Sequence, residues 1–372
     1  MGKRPGGGLQ DTPYLSVDGD RMESNVLKMA AIAKERGVSL RPHVKTHKIP
    51  AIARRQVAAG AAGITVAKVS EAEVMADGGI GDIFVAYPLV TEAKIRRAIR
   101  LAVRTRLIVG VDSAEGARAM SAVAGSEGAV LEVRLEVDSG LRRTGVPRAE
   151  AAGLARGISA LENLDLTGIY TYRGAVLEDG SPTPDLAEAG RREGELMVAV
   201  AEEIRAEGVG VRDVSLGSTP TAEHAASVEG VTEIRPGTYV FYDRMQAEMG
   251  ACSLEECALR VVATVVSRPT PDLAVIDGGS KTFATDVQPK VAPLSLAGFG
   301  LVLGHPEALL GRVTEEHGML SLEEGSDLRV GDTVEIVPNH VCSTVNLHEE
   351  VHVRYGDADA EALRVAARGM VG

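Results

Sequence analysis

Apolar residues follow two patterns along this chain, and the change-over lies just after Met245. Before it, short apolar runs recur at Ser39 to Lys45, Gly63 to Val69, Ile83 to Pro88, Leu107 to Val111, Val130 to Val137, Leu166 to Tyr172, Val214 to Gly217 and Thr232 to Phe241. Runs of this length, rich in Val, Ile and Leu, read as buried strands. Between them, alanine-rich stretches carry the helical period at Ile49 to Ala59, Ser70 to Ala76, Glu92 to Val103, Ala114 to Val123, Arg148 to Ser159 and Arg191 to Ala206. Ahead of these, Asp11 to Val17 reads as extended. Met22 to Arg36 reads as an amphipathic helix with Val26, Met29, Ile32 and Ala33 on one face, ended by Gly37. Alternating strands and helices mean parallel strands joined by crossovers. Eight such units close into an α/β barrel of the TIM type, whose catalytic groups sit at the strands' carboxyl ends.

From Leu259 onward the helical period fades. Arg260 to Ser267, Leu273 to Ile276, Gly311 to Thr314 and Thr333 to Val337 alternate in period two with turn signals between them, which predicts a mainly antiparallel β domain. Asp357 to Ala366 is expected to form a closing helix. The division expected is a barrel over 14–245 and a β domain over 246–372 together with 1–13.

Composition narrows the class. A chain of 372 residues, 45% hydrophobic, is long enough for a large barrel and a smaller partner domain. With no Trp and 3% aromatics, the core must rest on Ala, Val, Leu and Ile, as helices layered on a parallel sheet allow. The 40 basic and 52 acidic residues give a net charge of -12, which repels polyphosphate chains, so nucleic acid is not an expected partner. The longest apolar runs are too short to span a bilayer, so no membrane association is expected. Met1 to Gly8 holds two basic residues and a run of three glycines with no apolar stretch behind them; a frayed cytoplasmic start without a secretory signal is expected. The three cysteines read as reduced thiols, Cys252 and Cys257 as inert ones.

The candidate chemistry begins at Arg41-Pro42-His43-Val44-Lys45-Thr46-His47-Lys48, where an apolar run ends on a lysine between two histidines. An amine at a barrel mouth, if crowded, is more readily neutral and can condense with an aldehyde such as pyridoxal phosphate. Lys45 is the candidate; the alternative is a surface lysine, with His47 its exposed neighbour. The other strand ends supply Lys68, Tyr87, Asp138 with Arg142 and Arg143, and Tyr172 with Arg173. Leu216-Gly217-Ser218-Thr219-Pro220-Thr221 is a hydroxyl-rich turn running into a helical segment near Ala222, either a phosphate site or an ordinary N-cap. Arg235-Pro236-Gly237-Thr238-Tyr239 is a second such turn, and loops seven and eight are the usual phosphate position in this fold. Arg235 can face a pyridine nitrogen or, alternatively, lie on the surface paired with Glu233. Late in the chain, His340 and Cys342 are two apart on a segment read as extended, so both can face one ion. Soft sulfur with nitrogen favours zinc, and manganese or magnesium stay open.

At Pro42-His43-Val44-Lys45-Thr46-His47-Lys48 and Pro338-Asn339-His340-Val341-Cys342 the chain resembles the D-serine dehydratase and D-threonine aldolase family, fold type III pyridoxal phosphate enzymes akin to alanine racemase. The likeness extends through Glu136 to Gly145, Gly168 to Tyr172 and Arg235 to Tyr239. It implies that Lys45 holds the cofactor covalently, that Arg143 lies near its phenolic oxygen and that Tyr172 faces its ring. It further implies that Ser218, Thr219, Gly237 and Thr238 hold the phosphate, that His340 and Cys342 bind a divalent metal, and that a head-to-tail homodimer forms. Cysteine as the second metal donor looks more like the zinc-dependent dehydratases than the aldolases. Tyr172-Arg173-Gly174 stands where the family carries His-Cys-Gly, which implies an altered pocket. The expected activity is metal-assisted β-elimination from a D-β-hydroxy amino acid such as D-serine. The alternatives are Cα–Cβ cleavage of D-threonine, racemisation, or a pyridoxal phosphate carrier without turnover.

Overall fold

The computed structural model describes residues 11–291 and 293–372, so the expected frayed start at Met1 to Gly8 lies outside the described residues. The chain divides into two compact units. One comprises Leu27–Lys45, Pro50–Gly237 and Met370–Gly372; the other comprises the N-terminal segment up to Val26, Thr46–Ile49 and Thr238–Gly369.

In the first unit eight parallel strands follow one another in the order Ser39–Leu40, Glu233–Ile234, Asp213–Leu216, Leu164–Tyr170, Leu131–Asp138, Arg106–Val111, Asp82–Pro88 and Ile64–Val66. A parallel bridge between His43 and Thr65 joins the two ends, so the sheet closes as a barrel. Period two sorts the side chains. Ile83, Val85, Leu107, Val109 and Ile169 join the large aliphatic core, whereas Phe84, Ile108 and Tyr170 on the intervening positions form a separate small cluster. The helices Val69–Asp77, Glu92–Ala102, Ala114–Ser126, Arg148–Ser159 and Leu186–Ala206 fill the crossovers.

Two strands are shorter than the sequence suggests. The run expected from Ser39 to Lys45 pairs only at Ser39–Leu40 and again at His43, then turns as a 3₁₀ helix at Val44–Thr46. The run expected from Thr232 to Phe241 pairs only at Glu233–Ile234, and Thr238–Val240 is a second 3₁₀ helix. Pro42 and Pro236 explain both, because a proline has no N–H to give to a ladder.

In the second unit the sheet order is Ala308–Val313, Gly318–Leu322, Leu273–Ile276, Leu259–Thr270, Tyr14–Asp18, Glu350–Arg354 and Glu361–Arg364. Thr333–Pro338 also pairs with Leu259–Thr270 and carries Gly300–Val302. The pairs are antiparallel except that of Tyr14–Asp18 with Glu350–Arg354. The closing helix expected at Asp357 to Ala366 is absent from this region. Glu361–Arg364 is instead a strand laid antiparallel on Glu350–Arg354, with Leu363 buried between exposed neighbours, because a free sheet edge rewards pairing over an isolated helical turn. Among the described residues, no helix is long and apolar enough to cross a membrane.

Candidate active site and metal centre

At the carboxyl ends of the barrel strands, cations gather on one aromatic ring. Lys45 Nζ lies 5.3 Å from the centroid of Tyr172, and the Arg143 guanidinium lies 5.1 Å from it. Arg143 is held in place by its loop. The Asp138 carboxylate accepts the N–H groups of Gly140 and Arg142 at 2.9 and 3.0 Å, and the Thr144 hydroxyl donates to Glu136 at 2.9 Å. Glu136 in turn accepts the Tyr170 hydroxyl at 3.0 Å. Burial pushes that phenol well above its ordinary value, and the Glu136 carboxylate adds to the shift, so Tyr170 stays a donor.

His43 is the neighbour that sequence reasoning passed over. Its Nδ1 accepts the Lys45 backbone N–H at 3.5 Å. Burial, then the charges of Lys45, Arg235 and Arg143, push it well below the usual histidine range, so it stands as a neutral imidazole among three cations. Its position two residues before Lys45 was the available signal. His47 is fully buried rather than exposed, and its Nδ1 accepts the Ile49 N–H at 3.0 Å.

Arg235 is buried and does not pair with Glu233 as the surface alternative had it; Glu233 is occupied by Arg41 and Arg134. Arg235 donates to the Ser215 hydroxyl at 2.6 Å and to the Thr171 carbonyl, and stacks 5.4 Å from the Tyr170 ring centroid. Arg173 is also buried. Its Nε donates to the Val176 carbonyl at 2.7 Å, and its charge faces the fully buried Glu193.

The two glycine turns meet directly, because the Gly237 N–H donates to the Thr219 hydroxyl at 3.2 Å. Ser218 donates its N–H to Thr221 Oγ1 at 3.1 Å, and the two hydroxyls lie 2.9 Å apart. Gly217 has φ +81, and an added Cβ would lie 3.2 Å from Ala222 Cα, so only glycine bends the chain here without strain. The helix expected from Ala222 is the single turn Ala222–Ala225, too short for a strong dipole. Hydroxyls and loop N–H groups are therefore what this cradle offers an anion.

In the second unit the expected extended segment at His340 and Cys342 is helical. The strand stops at Pro338, His340 is the N-cap, and Val341–Val345 is a short helix. Asp243 causes the break: its buried carboxylate accepts the Val341 N–H at 2.9 Å and caps Arg244–Glu248 through the Gln246 N–H at 2.9 Å. The imidazole and the thiol still belong to one helix start, His340 at the N-cap and Cys342 in the first turn. Cys342 Sγ lies 3.2 Å from Thr46 Oγ1 and 3.7 Å from Thr238 Oγ1, and Thr46 is the residue after Lys45. His340 Nδ1 lies 2.6 Å from Asp286 Oδ2. Burial lowers the imidazole's pKa, but Asp286, Cys342 and Asp243 outweigh it and push it up to about 11. The nitrogen and sulfur donor set suits a divalent cation.

The chain is matched by the alanine racemase N-terminal domain model over residues 17–245 and by the putative serine dehydratase domain model over 258–354. It is 32% identical to a D-threonine aldolase of Arthrobacter sp., covering 96% of this chain and 93% of that one. The chain belongs to the D-serine dehydratase and D-threonine aldolase family. Its relatives are lyases, and it is an enzyme of that class. It is also 35% identical to the D-threo-3-hydroxyaspartate dehydratase of Delftia sp., covering 90% of this chain and 91% of that one. A cysteine-to-alanine mutant of a D-threo-3-hydroxyaspartate dehydratase, solved in a metal-free form, superposes with a TM-score of 0.88 at 32% identity, covering 96% of this chain and 97% of that one.

Proposed function

We propose that this lyase uses pyridoxal phosphate and a divalent metal, zinc above others, to carry out β-elimination on a D-β-hydroxy amino acid, D-serine in the simplest case, releasing pyruvate and ammonia. The observation that carries the reading is the placing of His340 and Cys342 at one helix start, the imidazole on the N-cap and the thiol in the first turn, a nitrogen and a sulfur donor from one short segment. The likeness to a dehydratase whose cysteine mutant was solved metal-free supports it. Bound at these residues, the cofactor supplies a sink for negative charge at Cα, and the metal supplies Lewis acidity toward the β-hydroxyl.

The chain's own groups take the remaining parts. Lys45 would hold the cofactor, and its free amine would accept the Cα proton. Arg143 would bring positive charge to the phenolic oxygen, and Tyr172 would offer its aromatic face to the ring. Arg235, bonded to Ser215 and Thr171, would supply the positive charge that keeps a pyridine nitrogen unprotonated. Ser218, Thr219, Gly237 and Thr238 bind the phosphate. His340 and Cys342 hold the ion.

A second reading keeps every binding role and changes the bond broken; the likeness to the Arthrobacter aldolase favours it. Cα–Cβ cleavage of D-threonine gives glycine and acetaldehyde. The deciding test incubates the reconstituted enzyme, with zinc or manganese, with D-serine and D-threonine and identifies the products. Pyruvate with ammonia from D-serine is the expected outcome. Glycine and aldehyde as the sole products would replace the first reading with the second, and turnover that survives chelation would remove the metal from both.

A further inference from the structure

The carboxylate beside His340 comes from a part of the chain that carries no motif. Asp286 follows the strand Leu273–Ile276 in a loop, and its Oδ2 lies 2.6 Å from His340 Nδ1. The Ser343 hydroxyl donates to the same oxygen at 2.9 Å. Two further bonds tie this loop to the metal segment. The Ala284 N–H donates to Thr344 Oγ1 at 3.3 Å, and His348 Nε2 lies 3.1 Å from the Thr282 carbonyl oxygen. The contact is thus backed by further bonds to the segment that follows His340 rather than made by one wandering side chain.

An imidazole has two nitrogens, and a metal takes a lone pair from only one of them. With Nδ1 facing a carboxylate, the ring proton belongs on Nδ1 and the lone pair is left on Nε2. We infer that Asp286, steered by Ser343, is a positioning residue that fixes the tautomer and orientation of His340 so that Nε2 and the Cys342 thiolate take the divalent ion. The inference rests on the metal reading above. Without Asp286 the ring can rotate and either nitrogen can carry the proton, so part of the population cannot ligate.

The test measures Zn²⁺ and Co²⁺ affinity of the purified protein by competition with a chromophoric chelator, beside the cobalt–thiolate absorption band and the ligand count from X-ray absorption. Asp286→Ala is expected to weaken both metals by about 10- to 100-fold while leaving the thiolate band and ligand count unchanged. Asp286→Asn, which keeps an acceptor for Nδ1–H, is expected to recover part of that loss, and Ser343→Ala to lose less than Asp286→Ala. Wild-type affinity in Asp286→Ala, beside a clear loss in Cys342→Ala, overturns the assignment and spares the metal reading. One oxygen ligand fewer in Asp286→Ala also overturns it, since Asp286 would then be a ligand itself. Unchanged affinity in Cys342→Ala brings down both.

Discussion

The two ends of the barrel interior handle charge in opposite ways. Around the carboxylates that begin three of the strands, Arg41 Nε and Arg134 Nη1 bond Glu233 at 2.7 and 2.5 Å, the Ser215 hydroxyl adds a bond at 2.6 Å, and Asp82 and Asp213 complete the pairing of the arginines. Burial alone would raise the Glu233 carboxyl, but Arg134 and Arg41 hold it down to about 2. At the strand ends, Lys45 and Arg143 face the ring of Tyr172, His43 is kept neutral among cations, and among the described residues neither Lys45 nor Arg143 is ion-paired. Charges that serve the fold are matched within it. Those at the rim are left for an anionic ligand to match, which is what a phosphorylated cofactor would do.

This contrast predicts that changes at the rim remove function and spare stability, while changes at the floor do the reverse. Lys45→Ala is expected to cost at least about 10²–10⁴-fold in turnover with little change in melting temperature. Absence of the yellow cofactor band, and of borohydride labelling at position 45, checks it. Were the label to appear on another lysine, the rim would be misread.

Glu233→Ala is expected to destabilise the protein by about 3–5 kcal/mol, because two arginines lose their buried partner. Urea denaturation measures this. Per-molecule turnover of the fraction still folded should be near that of the parent.

Glu193 gives a pH signature. Burial, only partly offset by Arg173 and Arg235, pushes its carboxyl up to about 7 from an ordinary value of 4.5. The folded state therefore binds this proton more tightly than the unfolded chain. Its contribution is fully present below about pH 4.5 and is lost as pH rises through 7, a change of about 3 kcal/mol. Glu193→Gln should flatten the fall in melting temperature over that window; an unaltered pH profile would refute the assignment.

The smallest effect is expected at Tyr172. Tyr172→Phe keeps the aromatic face for Lys45 and Arg143, whereas Tyr172→Leu removes a contact of about 0.5–1 kcal/mol. Cofactor affinity by fluorescence titration should fall only in the second, by several-fold.

The hydrophobic pattern was enough to indicate the barrel and the β domain, since period two and the helical period are local properties that survive packing. It misjudged the segments where a local rule and a distant partner compete. Val341–Val345 is helical because Asp243, 98 residues away in sequence, accepts its first N–H. Glu361–Arg364 is a strand because an edge was available to it. Lys45, Arg143, Tyr172, His340 and Cys342 could be picked out because each sits at a strand end or in a marked motif. Asp286 lies 54 residues from His340, and Glu193 lies mid-helix in a run of ordinary charged residues, so neither carries a local signal.

The sequence by itself determined which residues are apolar and at what spacing, and therefore the order of strands and helices and the chemical groups offered at their ends. Only the tertiary structure decided which of those groups meet and in what protonation state, because burial and the neighbouring charges that set both are supplied by segments far apart in the chain.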